Sequence, residues 1–255
     1  MSLEQDILLA HVLKKPRSYI LAHRDEPLTP VLQIQFDELW NRFQQGEPIA
    51  YLIGHKEFWS LDLIVNEHVL IPRPETELLV ELVLKHTEEK VRIADLGTGS
   101  GAIALALARE RPHWEIYATD QSQEALNVAK QNAEHLSLSN IQFLLSHWCE
   151  ALPKFFFDII VSNPPYIAEG DSHLKDLRYE PQAALVSGRK GLDAMAEIIP
   201  SAIHYLKPGG MLFIEHGYNQ GSAVTHLFKS CGYNHIQTHK DYAGLDRVTS
   251  GIITL

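Results

Sequence analysis

In "FDIIVSNPPYIAEG", residues 157–170, an apolar run of Ile159, Ile160 and Val161 stops at Asn163 and is followed by two prolines and Tyr166. Proline cannot donate to a sheet ladder, so the pair closes a strand rather than sitting inside one. The side-chain carbonyl of Asn163 and the main-chain carbonyl of Pro164, aimed by the two rings of Pro164 and Pro165, can accept both hydrogens of a planar –NH2 group. Tyr166 offers a flat face to stack on it. A planar amide or aromatic amine is a poor nucleophile because its lone pair is delocalised; drawing on both N–H bonds while aiming the nitrogen helps it. The bland alternative is a strand terminator with Asn163 as a cap.

A second constellation bears on that choice. "RIADLGTGSGAIALALA" places Gly97, Thr98, Gly99, Ser100 and Gly101 between a strand and a helix. Glycines there permit positive φ and close backbone approach, while the helix N-terminus favours negative charge. Asp120 ends the next strand, roughly 20 residues on, where a carboxylate can take both hydroxyls of a ribose. A nucleoside is implied, but the loop also satisfies the dinucleotide fingerprint, so NAD stays open. Asp95 favours another cofactor, since a carboxylate before the loop suits a cationic sulfonium or amino group and repels a pyrophosphate. A sulfonium beside an aimed amide nitrogen implies methyl transfer, accelerated mainly by orientation and proximity.

Strands alternating with helices position these residues. Strands are expected at 92–96, 115–119, 141–145, 157–162 and 211–215, with crossover helices at 102–110, 123–136 and 192–206. A helix near 222–230 precedes an antiparallel hairpin of 235–238 and 247–255. The fold class is therefore α/β, with a mostly parallel sheet and an antiparallel last strand. Ahead of it, helical spacing broken by Pro16, Pro27 and Pro30 suggests a small helical domain, residues 1–45. Alternation at 51–53 and 58–65 suggests a β-hairpin linker, residues 46–72, leaving residues 73–255 for the sheet.

Length and composition set outer bounds. The chain has 255 residues, 45% hydrophobic and 21% charged, which suits one sizeable core plus a small extra domain. Its N-terminus carries Glu4 and Asp6 ahead of the apolar residues, so neither a signal peptide nor a membrane span is expected. The two cysteines, Cys149 and Cys231, are far apart and read as free thiols in a cytoplasmic protein. The 14 histidines form no ligand spacing, so no metal is expected. A formal net charge of −10 argues against direct nucleic-acid binding.

These motifs resemble the class I S-adenosylmethionine-dependent methyltransferases and, among them, the HemK/PrmC family of protein-glutamine methyltransferases. "DLGTGSG" resembles the family's cofactor loop and "NPPY" its acceptor motif, although N-P-P-Y is shared with adenine-N6 methyltransferases. "GEPIAYLIGHKEFWSLDLIVNEHVLIPRPETE", "YEPQAAL" and "DYAGLDRVTSG" are similar to more specific stretches of the family. The resemblance implies a Rossmann-like fold and methylation, from S-adenosyl-L-methionine, of the glutamine in the Gly-Gly-Gln motif of class 1 peptide chain release factors. It implies that Gly97 through Gly101 hold the methionine part, Asp120 the ribose and Trp148 the adenine. Asn163, Pro164, Pro165 and Tyr166 would hold the acceptor, with Asn163 also at the cofactor, and Arg73 and Glu75 would close over the site unless they form an interdomain salt bridge. His147 stands where many relatives carry an acid, leaving the adenine amino group to backbone partners. A monomer is expected. The rivals are a glutamine methyltransferase of a ribosomal protein, a nucleic-acid adenine methyltransferase and a non-catalytic nucleoside sensor; the last has no use for Asn163.

Overall fold

The computed structural model describes residues 2–86 and 90–254. The prolines that interrupt the helical spacing mostly start helices, as fixed φ and a missing N–H favour. α1 (Leu3–Leu13) opens on a reciprocal cap between Ser2 and Gln5; α2 (Arg17–Ala22) follows Pro16, α3 (Pro30–Gln44) begins with Pro30 behind the Thr29 cap, and α4 (Ile49–Ile53) follows Pro48. Buried Asp6 accepts from Arg24 at 3.0 Å, tying α1 to the segment after α2. Residues 51–53, expected to begin the hairpin, instead complete α4, because Pro48 starts a helix and Gly54, at φ 79°, ends it. The hairpin is β1 (His55–Phe58) and β2 (Leu61–Ile64), turned by Trp59 and Ser60, both at positive φ as a right-twisted two-residue turn requires.

The sheet elements are α5 (Glu77–His86), β3 (Arg92–Leu96), α6 (Ala102–Glu110), β4 (Glu115–Asp120), α7 (Gln123–His135), β5 (Ile141–Leu145), β6 (Phe157–Ser162), α8 (Asp193–Ala202), β7 (Leu206–Glu215), α9 (Gly221–Ser230), β8 (Tyr233–Lys240) and β9 (Asp246–Ile253). Leu255, the expected end of the last strand, lies outside the described residues. The order is β5-β4-β3-β6-β7-β9-β8, with β9 antiparallel to both of its neighbours. The chain moves outward from β3 through β4 to β5, then returns to place β6 on the other flank of β3. The switch point between β3 and β6 is where an open sheet binds its ligand. β3 and β6 are apolar and buried, as central parallel strands are when helices cover both faces.

The hairpin is fastened to this sheet. Phe58, Leu61 and Leu63 pack into the core with α5 and α6. Fully buried Asn132, on α7, accepts from Ile64 N at 2.7 Å and donates to Ile64 O at 3.0 Å and to Ser100 O at 2.9 Å. One amide thus joins the linker to the glycine loop. Asn132→Leu keeps the volume but strands these backbone groups, and should lower unfolding free energy by about 1–3 kcal/mol. Denaturant midpoints check this, and a wild-type midpoint would show the anchor to be dispensable.

Candidate active site

The loop after β3 is bound to β4, with Gly97 N and Thr98 N both donating to Thr119 O at 2.9 Å. Gly97 takes φ 72°, and a Cβ on it would lie 3.2 Å from Trp148 Cζ3, so glycine is needed for both backbone and space. Asp120 closes the far side: Oδ2 accepts from Gly99 N and Oδ1 from Ser122 N, each at 2.9 Å. The carboxylate keeps lone-pair capacity for a hydroxyl donor. Burial raises the Asp120 carboxyl, while these N–H groups oppose the shift.

A cleft of about 470 Å³ opens over this edge, within the usual range for small-ligand sites. Gly97, Gly99, Asp120, Trp148, Asn163, Pro164 and Pro165 line it, so both sequence constellations share one cavity. Trp148 sits at φ 45°, its carbonyl held by Thr119 Oγ1 at 3.0 Å and Ser146 Oγ at 3.1 Å. Its indole Nε1 donates to Glu197 Oε2 at 3.0 Å, and the His147 imidazole lies 3.6 Å from the same oxygen. Glu197 of α8 thus ties both side chains to the outer helix, outside the lining of the cleft. The cleft's acids are Glu67, Asp120 and Glu124, and no Lys or Arg is among the described residues lining it. That field suits a cationic ligand and disfavours the pyrophosphate of NAD.

Asn163 donates from Nδ2 to Thr76 Oγ1 at 3.1 Å, which leaves its carbonyl oxygen for the cleft beside Pro164. Ser162, one residue earlier, donates to Leu96 O at 2.7 Å and closes the gap between the two strand ends. Behind the prolines, Gln220 Nε2 donates to Tyr166 O at 3.0 Å. Gly191 crosses so closely that a Cβ would sit 2.1 Å from that oxygen.

Several expected site residues lie elsewhere. Thr98, Ser100 and Gly101 do not line the cleft; they shape the loop from within. Asp95 is fully buried beneath it, outside the lining; its Oδ2 accepts from Thr98 Oγ1 at 2.7 Å and braces the turn, while Oδ1 has no partner among the described residues. Tyr166 also lies outside the lining, close to the charges of Glu215 and Arg247. Arg73 donates to Glu180 Oε1, whose other oxygen accepts from Ile71 N at 3.0 Å; this is the salt-bridge alternative, stapling the linker to the segment that carries Pro181, Ala183 and Ala184 into the cleft wall. Glu75 is exposed and outside the lining. The linker instead reaches the cleft through Glu67, His68, Val69 and Leu70, which sequence reasoning missed. Their signal was present in "NEHVL", inside a stretch already singled out, but its burial follows no regular period that would show which residues face a cavity.

Burial pushes the Asp95 carboxyl up to about 7, against the pull of the Thr98 hydroxyl. A raised acid holds its proton more tightly in the folded chain, so its contribution to stability is fully present below the unfolded value of 3.8 and is lost as pH rises through about 7. Asp95→Asn, neutral throughout, should flatten part of the fall in melting temperature between about pH 4 and about pH 7, a tenfold difference in proton affinity being worth about 1.4 kcal/mol. Glu215, likewise raised to about 7, adds to the same slope. Thermal melts across that range check it, and an unchanged slope would show that Asp95 does not titrate there.

Residues 74–179 match the family described as methyltransferase small domain and residues 2–54 the one described as PrmC N-terminal domain. The release factor glutamine methyltransferase of Salmonella typhimurium is 50% identical over 254 residues, covering 98% of this chain and 92% of the relative. That of Coxiella burnetii is 49% identical over 248 residues, covering 96% and 90%. A T. thermophilus 16S rRNA methyltransferase solved with AdoMet and guanosine superposes with a TM-score of 0.57 at 22% identity, covering 78% of this chain and 49% of that one, a likeness of fold. With near-half identity along almost its whole length, the chain belongs to the release factor glutamine methyltransferases, the HemK/PrmC family of S-adenosylmethionine-dependent enzymes.

Proposed function

We propose that the protein methylates the side-chain amide nitrogen of the glutamine in the Gly-Gly-Gln motif of class 1 peptide chain release factors. The observation that carries this reading is Asn163, whose nitrogen is occupied by Thr76 and whose oxygen is turned to the cleft beside Pro164. Two adjacent carbonyl acceptors match the two N–H donors of a primary amide.

S-adenosyl-L-methionine, when bound, supplies an electrophilic methyl group on a sulfonium. The residues present fit it. Asp120 keeps lone-pair capacity for the ribose hydroxyls, Trp148 and Val69 offer apolar surface to the adenine, and the acids of the cleft complement the positive charge. Asn163 and Pro164 hold the acceptor amide, and the walls supplied by the linker and by Pro181, Ala183 and Ala184 keep water from the donor. The helical region, residues 1–45, is the part of the chain left to select a folded protein substrate.

The direct test incubates the protein with a labelled methyl donor and an extract from cells lacking this modification, then identifies the labelled residue. Label on a release-factor glutamine supports the proposal; label on a ribosomal protein, or on adenine, supports one of the rivals instead.

Asp120→Ala should weaken cofactor binding by about 1.5–3 kcal/mol, the scale of a hydrogen bond to a charged group. Calorimetry decides this, and unchanged affinity would remove Asp120 from the cofactor site. Asn163→Ala should cut single-turnover transfer by about a hundredfold or more while cofactor affinity stays within about twofold, because the lost interaction is made to the reacting group. Near-normal transfer by Asn163→Ala would return "NPPY" to the role of a strand terminator.

A further inference from the structure

A primary amide is two-faced. Turning the Asn163 side chain by half a revolution exchanges Oδ1 and Nδ2 at almost no steric cost. In the wrong orientation Asn163 would point N–H groups at the N–H groups of the acceptor. Thr76 cannot prevent this alone, because a hydroxyl both donates and accepts and could pair with either end of the amide. What decides the orientation is where the single Thr76 proton goes.

Glu215 supplies the missing acceptor. It ends β7, one residue past the Ser162–Ile214 pair that aligns β6 with β7, so it stands beside Asn163 at the same sheet edge. Its carboxyl is fully buried, and neither oxygen has a partner within full hydrogen-bond geometry among the described residues. The hydroxyls of Thr76 and Tyr166 are close enough to pull its carboxyl down against the effect of burial. Arg247, the nearby cation, is committed elsewhere: Nε and Nη2 go to Asp241 Oδ2 at 3.2 and 3.1 Å, and Nη1 donates to His216 O. An isolated buried carboxyl is costly, so it draws in whatever donors can turn toward it. A Thr76 proton directed at Glu215 would leave only lone pairs for Asn163.

We infer that Glu215 is a positioning residue for methyl transfer, acting through the Thr76 hydroxyl to fix the Asn163 amide with its oxygen toward the acceptor. This rests on the reading of Asn163 as the acceptor clamp. Protonated or ionised, Glu215 retains an acceptor oxygen, so the relay from Asn163 Nδ2 to Thr76 Oγ1 to Glu215 persists in either state.

The test measures single-turnover transfer to intact release factor, cofactor affinity and melting temperature for T76V, T76S, E215M and T76V/E215M, with N163A in parallel. T76V keeps the shape of Thr76 but can neither donate nor accept; it should slow transfer about tenfold or more, with cofactor affinity within about twofold. T76S, which keeps the hydroxyl, should recover to within about threefold of wild type. E215M should slow transfer to a similar degree while melting no lower than wild type, since it removes a buried acid. A stable but slow variant is what a merely structural role would not produce. The double variant should be no slower than T76V, because both residues act in one chain of hydrogen bonds. Wild-type transfer by T76V alongside a disabled N163A would overturn the relay and leave the clamp standing. An active N163A would overturn the clamp and the relay together. If E215M melts well below wild type, or transfers at the wild-type rate while T76V is slow, Glu215 is no positioning residue and the inference is overturned.

Discussion

β3 and β6 lie side by side, run in the same direction, and end where the chain departs to opposite flanks of the sheet. Every part of the site is measured from those two ends. The bond from Ser162 Oγ to Leu96 O fixes their separation, and the bonds from Gly97 and Thr98 to Thr119 O fix the glycine loop against β4. Because β3 and β6 are buried, a register slip would carry apolar side chains out of the core. The distance between the cofactor loop and Asn163 is therefore set by core packing, far more stiffly than two surface loops could set it.

That edge is also where the fold carries its least favourable burials. Asp95, next to last in β3, and Glu215, at the end of β7, carry wholly buried carboxyls on either side of β6, and burial raises both toward neutrality. A chain selected for stability alone would place apolar side chains there, since isolated buried charges gain little from their surroundings. Their presence is intelligible if the groups they brace have to be held in one orientation. Asp95 holds Thr98 in the glycine turn, as Glu180 holds both Arg73 and Ile71 N of the linker. In each case a carboxylate is used as a fixed acceptor for a segment that has little apolar surface of its own.

How much of this the sequence disclosed follows from sequence separation. The glycine loop, Asp120 and Asn163 were legible because each motif is contiguous and acts largely through its own backbone or strand end. The partners of those motifs were not, since Thr76 meets Asn163 across 87 positions and Arg73 meets Glu180 across 107. No local periodicity encodes such pairings. Asp95 stands out in the sequence but its surroundings do not, because residue type tells nothing of which side of a turn a carboxylate occupies. Residues 51–53 read as strand although Pro48 and Gly54, the stronger signals, bracket a helix; three residues are too few for alternation to outweigh them.

The charge pattern of the cleft constrains where acceleration can arise in the proposed reaction. Glu67, Asp120 and Glu124 favour a positive ligand before any chemistry occurs, and an interaction already present in the bound ground state lowers no barrier. As the methyl group moves, positive charge moves with it toward the acceptor nitrogen, away from the ribose side of the cleft. The groups that meet that charge are the carbonyl oxygens at Asn163 and Pro164. Their hydrogen bonds strengthen as the N–H groups become more acidic, so they bind the transition state more tightly than the substrate. The gain depends on direction, because an inverted Asn163 would oppose the same charge with its amide hydrogens. The acids of the cleft can therefore select the cofactor, but the rate has to come from the orientation of one amide, and that orientation is held by hydroxyl and carboxyl groups on segments distant in sequence.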